Sequence, residues 1–189
     1  AMNRGTKYAH DRGVTLIASA GNESVDSDHT ADLLHVPSDL SHVLSISATG
    51  PLGWALDLAT DLDRPAHYTN YGQSAIDFAA PGGDFALPGN DLCQLFGSFF
   101  VYTAPCWVFD MVVSSWAGSN TGVAFAAGTS MAAPHATGVA ALIVGRNGGS
   151  MAPAHVEQAL RAAADDLGQP GNDDWYGGGR LNARRAAGG

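Results

Sequence analysis

The apolar pattern changes period several times along the chain, and each change marks an element. Met2, Tyr8 and Ala9 form one face of a helix expected over residues 2–12, with Gly13 as its stop. Val14–Ala18 is a β-branched run without alternation, as in a strand buried on both faces of a parallel sheet. Gly21-Asn22-Glu23 ends it, and residues 24–42 are polar loop. Val43–Ala48 and Ala75–Ala80 are two further strands, separated by an irregular segment at residues 50–74; Pro81-Gly82-Gly83 terminates the second. Residues 131–144 are apolar on nearly every face, the pattern of a helix through the centre of a core, with Pro134 tolerated in its first turn. Val156, Ala159, Leu160 and Ala163 follow helical spacing after Pro153, and a last short helix is expected over about Asn182–Ala187. Strands alternating with helices predict an α/β domain with a mostly parallel sheet.

Asp84–Gly122 fits none of these periods. A structureless loop of that length is uncommon in a compact domain, so a hairpin is expected inside it, with Val101–Thr103 and Val108–Phe109 flanking Pro105-Cys106.

Composition narrows the function classes. A chain of 189 residues with 46% hydrophobic and 14% charged residues suits one domain with a sizeable core. Eighteen acids against nine Lys and Arg give a net charge of −9. Without a basic patch to neutralise phosphates, a nucleic-acid partner is disfavoured. No apolar run reaches membrane-spanning length, and residues 1–5 do not read as a signal peptide. Cys93 and Cys106 read as free thiols in a reducing compartment and as a short disulfide loop in an oxidising one.

The strongest chemical signal is Gly128-Thr129-Ser130-Met131-Ala132-Ala133-Pro134-His135. It sets a serine at the start of a buried helix, where the dipole and unpaired N–H groups favour negative charge developing on an attacked carbonyl. A serine there also serves as an ordinary helix cap, and spacing alone does not choose between the two.

That motif, continuing into Gly138-Val139-Ala140-Ala141-Leu142, resembles the nucleophile segment of the subtilisin-like serine proteases. Val14–Asn22, ending Ala20-Gly21-Asn22, resembles the strand that delivers the family's oxyanion asparagine. Tyr68-Thr69-Asn70-Tyr71-Gly72 followed by Ile76–Gly82 resembles the approach to its Ala-Pro-Gly turn, and Gly177–Asn182 its closing motif. Four matches in family order imply that residues 1–189 are the C-terminal part of a single subtilisin-like peptidase domain, a three-layer α/β fold lacking its N-terminal strands and carrying an insertion around 84–122.

The resemblance also assigns roles. Ser130 is the expected nucleophile, forming an acyl-enzyme in peptide-bond hydrolysis. Asn22 donates its amide to the oxyanion, with Thr129 assisting. Ala18, Ser19, Ala20 and Gly21 are expected to wall the primary specificity pocket, His35-Val36-Pro37 to floor it, and Glu23 to lie at its rim, where a solvated loop carboxylate is the plainer role. Asp77 is expected either to hydrogen-bond a neighbouring loop or, with carbonyls from the loop Ser38–Val43 (Ser38, Leu40, Val43), to hold a structural calcium or sodium ion; no catalytic cofactor is implied. The family context favours a Cys93–Cys106 disulfide and a secreted or extracytoplasmic location.

The family's Asp and His motifs, which should precede Ser130 and the oxyanion strand, are absent from this sequence. Asp11-Arg12-Gly13 and Asp28-His29-Thr30 echo them in the wrong places. His135 is structural in the family, and the remaining histidines read as surface or loop residues. The expected partners are therefore a protein or peptide substrate and the upstream part of the same catalytic domain. Alone, the chain is expected to be inactive, with an apolar edge at its first strand. An α/β-hydrolase fails on chain order, because no acid lies between Ser130 and His155. The alternative from another class is an inactive subtilisin-like protein that only binds peptides.

Overall fold

The computed structural model describes residues 1–30, 34–97, 101–118 and 122–189. Its central sheet contains β1 (Leu16–Ser19), β2 (Val43–Thr49), β3 (Phe78–Pro81), β8 (Ala164–Asp165) and β9 (Arg180–Leu181), in the order β1-β2-β3-β9-β8. The first three strands are parallel, in register Leu16↔Val43 and Ile46↔Phe78; β9 continues the parallel set and β8 closes it antiparallel. Every residue of β2 is buried, which is why its sequence lacks alternation. β1 lies at the edge of this sheet, as the sequence led us to expect.

Four helices accompany the described strands: α1 (Met2–His10), α2 (Thr129–Arg146), α3 (Pro153–Ala163) and α4 (Ala183–Ala186). Ala132, Ala136, Val139, Ala140 and Ile143 of α2 pack on Ile46, Ala48 and Phe78 of the sheet, and Val156, Leu160 and Ala163 of α3 complete the cluster. Small side chains let α2 approach the sheet closely. Contrary to the sequence expectation, α2 is not enclosed: Pro134, Gly138, Ala141 and Leu142 are exposed, Leu142 at 46%.

Two boundaries also differ. β3 begins at Phe78 rather than Ala75, because the N–H groups of Ala75 and Ile76 turn back onto the Gly72 carbonyl. In the long segment, β4 (Leu92–Phe96) pairs antiparallel with β5 (Val101–Pro105), while Val108 and Phe109, expected to be a strand, lie in a 3-10 turn, Cys106–Asp110. Phe109 is drawn inward by edge-on contacts with Tyr102 and Phe125, and the Cys93–Cys106 disulfide fixes the turn against β4. A second pair, β6 (Val112–Ser115) with β7 (Val123–Ala126), was not foreseen.

Candidate active site

β7 delivers the chain through Ala127 to Gly128, whose φ of +153° suits glycine, and α2 starts at Thr129. Ser130 is therefore in the first turn. It is exposed, and neither its hydroxyl nor its N–H has a hydrogen-bond partner among the described residues. Thr129 beside it is fully buried and reaches across to the end of β1. Its N–H and its hydroxyl both donate to Asn22 Oδ1, each at 2.9 Å, and its hydroxyl accepts the Gly21 N–H at 3.2 Å. A β-carbon placed on Gly128 would lie 3.7 Å from both Asn22 Oδ1 and the Ser130 nitrogen, and 3.8 Å from Asn22 Nδ2. Two segments 108 residues apart thus meet at one point.

The direction of these bonds matters. Because the Asn22 carbonyl oxygen is taken by Thr129, its Nδ2 group points elsewhere and finds no acceptor among the described residues. Asn22 Nδ2–H and Ser130 N–H are neighbouring, unpaired donors next to an exposed hydroxyl. Such a set stabilises negative charge on an oxygen bound between them.

Asn70 holds the Asn22 turn in place. Fully buried, it accepts the N–H groups of Glu23 (3.0 Å) and Val25 (3.1 Å) and donates to the Ala20 carbonyl (3.0 Å) and Glu23 Oε2 (2.9 Å). Glu23 Oε2 also accepts the Asn22 N–H at 2.8 Å. His35 lies 3.8 Å from the same carboxylate and 3.4 Å from Asn70 Nδ2. Ala20, Gly21, Glu23 and His35 are therefore brought together around Asn70. Ser19 is half-buried beside them at the end of β1, and Pro37, after a cis Val36–Pro37 bond, is exposed.

Asp77 sits with Ser38, Leu40 and Val43 around a cavity of about 480 Å³. Its Oδ2 accepts the Ser45 N–H at 2.7 Å, the Leu40 carbonyl accepts the Val43 N–H at 3.3 Å, and burial raises the Asp77 pKa. Among the described residues no three His, Cys, Asp or Glu side chains cluster as metal ligands. Two carboxylates line that cavity: Asp77, with one oxygen engaged by the Ser45 N–H, and Asp39, which accepts the His35 N–H and the Ser38 hydroxyl.

The histidines separate clearly. His135 bonds its own helix at the Met131 carbonyl (2.8 Å), and His29 bonds Asp26 (2.8 Å). His67 departs from the sequence expectation of a plain loop residue. Its Nδ1 lies 2.6 Å from Oδ1 of Asp84, which is completely buried and also accepts the N–H groups of His67, Phe85 and Ala86. Nothing at 17 residues' separation signalled this couple. It makes no hydrogen bond to Ser130. Next to it, Tyr68 donates its hydroxyl to the Gly82 and Gly83 carbonyls, and Gly128 N–H bonds Gly82 at 3.0 Å. Burial first, and the Asp84 charge second, raise the Tyr68 pKa, so the phenol stays neutral while it holds the Ala80-Pro81-Gly82 turn against the Ser130 turn.

The chain is 28% identical over 167 residues to alkaline protease 1 of Aspergillus clavatus, covering 88% of this chain and 31% of that protein. It is 28% identical to an extracellular protease of Xanthomonas campestris, covering 88% of this chain and 22% of that protein. A solved lanthipeptide protease superposes with a TM-score of 0.73 at 29% identity, covering 98% of this chain and 54% of that one. Fervidolysin from Fervidobacterium pennivorans shares the fold, with a TM-score of 0.65 at 24% identity over the whole of this chain and 24% of its own. The chain thus spans about a third of the length of the first of these curated relatives and about half of the first of these structures. The subtilase family model matches residues 1–179, and the chain belongs to that family.

Proposed function

We propose that this chain is the nucleophile-bearing part of a serine endopeptidase. Ser130 Oγ attacks the scissile carbonyl carbon and gives its proton to a histidine base. The carbonyl oxygen, now negative, lies between Asn22 Nδ2–H and Ser130 N–H. Collapse of this intermediate breaks the C–N bond, the leaving amine takes the proton, and water then releases the acyl group from Ser130. The observation that carries this reading is the meeting of Asn22 and Ser130, with the amide anchored through its oxygen so that its N–H₂ stays free.

The base histidine and its orienting aspartate are assigned to an upstream part of the parent protein, because His67, the one histidine held by a buried carboxylate among the described residues, does not bond Ser130. The chain by itself is then inactive. The uncovered face of α2 supports this division: a cavity of about 620 Å³ lies along Met131, Pro134, Gly138 and Leu142, an apolar surface suited to a packed neighbour rather than to water. The primary specificity pocket is assigned to Ser19, Ala20, Gly21 and Pro37. A cation at Asp77 competes with its hydrogen bond to Ser45, and Asp77→Asn distinguishes the two. Secretion is supported by the disulfide and by one relative named an extracellular protease; among the described residues no helix is long and apolar enough to cross a membrane.

Fluorophosphonate labelling of the full-length protein tests the reading. Label is expected on Ser130 and absent from Ser130→Ala. A folded full-length protein that takes no label overturns it in favour of a peptide-binding protein without activity.

A further inference from the structure

His67 and Asp84 make a bond that the proposed peptide hydrolysis leaves without a role. Asp84 is completely buried. Its Oδ1 accepts the N–H groups of Phe85 (2.6 Å) and Ala86 (2.9 Å), and its Oδ2 accepts that of His67 (3.0 Å). The His67 ring stands 2.6 Å from Oδ1, and since a carboxylate only accepts, Nδ1 carries the proton. Bonds of this kind, to a carboxylate, are about twice as strong as those between neutral groups. This one joins residues 67–70 to the turn at residues 82–84.

Each of the two joined pieces holds one half of the candidate site. On one side, the His67 carbonyl accepts the Ser24 hydroxyl at 2.5 Å and the Tyr68 carbonyl accepts the Ser24 N–H at 2.9 Å. Asn70 takes the N–H groups of Glu23 and Val25. The turn that carries Asn22 therefore hangs from residues 67–70, and Ser24 is held there at φ +55°, a conformation serine rarely adopts. On the other side, the Gly82 carbonyl accepts the Gly128 N–H at 3.0 Å, just ahead of Ser130. Packing at this contact is close: a β-carbon on Gly82 would lie 2.5 Å from Ala48 Cβ and 2.9 Å from the Gly128 carbonyl oxygen. A shift of the Gly82 turn therefore carries Gly128 with it. Tyr68 bridges the joint by donating to the Gly82 and Gly83 carbonyls.

We infer that His67 is a positioning residue, whose ring bond to Asp84 locks the Asn22 turn to the Gly82–Gly128 contact and so sets the spacing of the two oxyanion donors. Such donors must stand about 2.7–3.1 Å from the developing charge, so a small change in their spacing is felt in the rate. The catalytic consequence rests on the protease reading; the locking itself does not. The His67 side chain is 38% exposed, and replacing it removes little from the core.

The test uses the full-length protein. His67→Ala removes the donor, and His67→Asn puts an amide N–H₂ close to where Nδ1 stood. On a short chromogenic peptide, His67→Ala should lower kcat about tenfold and keep KM within about twofold, because the oxyanion exists only after attack. His67→Asn should recover most of that loss. Hydrogen exchange on the same two variants, made in the Ser130→Ala protein, reads the joint without catalysis. The Ser24 and Gly128 amides should exchange about tenfold faster with His67→Ala and return towards the parent rate with His67→Asn.

Unchanged kcat in His67→Ala overturns the inference, as does a loss that falls on KM or that His67→Asn leaves in place. Faster exchange spread over the whole protein, rather than centred on those two amides, would make His67 a general support of the fold and overturns it equally. If the wild type neither cleaves the peptide nor takes fluorophosphonate, the protease reading fails, and exchange at Ser24 and Gly128 still decides whether His67 locks the two turns together.

Discussion

Thr129→Val isolates the contact that orients the Asn22 amide. Valine keeps the shape of threonine and replaces the hydroxyl by a methyl in a site without solvent. Two bonds disappear: the 2.9 Å donation to Asn22 Oδ1 and the 3.2 Å acceptance from Gly21 N–H. The first is worth about 1 kcal/mol net, and the Gly21 N–H left without a partner costs about 1–3 kcal/mol, so the fold should lose about 2–4 kcal/mol. The catalytic effect is separate. Asn22 Oδ1 keeps only the Thr129 N–H, at 2.9 Å, and the carboxamide gains freedom to turn away from the oxyanion. In subtilisin, complete loss of such a donor costs about 2.7–4 kcal/mol of barrier, a value taken from that enzyme and not worked from these distances. Partial misorientation at about 1.4 kcal/mol lowers kcat about tenfold. KM should hold, because the oxyanion exists only after attack. The assay is steady-state hydrolysis of a short chromogenic peptide by the full-length enzyme, with urea unfolding alongside. Thr129→Ser, which retains the hydroxyl, should stay near wild type in kcat. A Thr129→Val enzyme with unaltered kcat, or with KM raised and kcat kept, would refute the orienting role.

Two further outcomes follow from the same geometry. Asp77 has its folded pKa raised, mainly by burial, so its ionised form destabilises the fold; this cost sets in as pH rises from the unfolded value of 3.8 through the folded one and is absent at lower pH. Asp77→Asn keeps an acceptor for Ser45 N–H and should raise the urea midpoint at about pH 7 with little effect below about pH 3.5; a lowered midpoint at neutral pH, together with sensitivity to EDTA, would instead establish a bound cation. Gly21→Ala should abolish labelling of Ser130: Gly21 has φ +109°, and a β-carbon there collides with Asn70 Nδ2 and lies 2.6 Å from Glu23 Oε2. A Gly21→Ala protein labelled at the wild-type rate would remove Asn70 from its place as the support of the Asn22 turn.

The elements legible in the sequence by itself are those whose signal is local. β2 is a continuous apolar run because it is buried on both faces, and α3 repeats every three to four residues because one face meets the core; both can be read from neighbours in the chain. Ser130 and Asn22 were legible only through resemblance, since no physical rule links residues 108 apart, but their neighbours already gave the means of meeting: glycines at 21 and 128 and a threonine at 129. The 84–122 segment misled because Val108-Phe109 has strand-forming side chains, while its conformation is set by a disulfide and by rings at 102 and 125. Which atom of the Asn22 amide faces Thr129, the joining of His67 to Asp84, and the open face of α2 belong to the tertiary structure alone. Each depends on the position of one donor or one packed neighbour across the fold. Periodicity encodes which side of an element is buried but carries no information about which distant group it will touch.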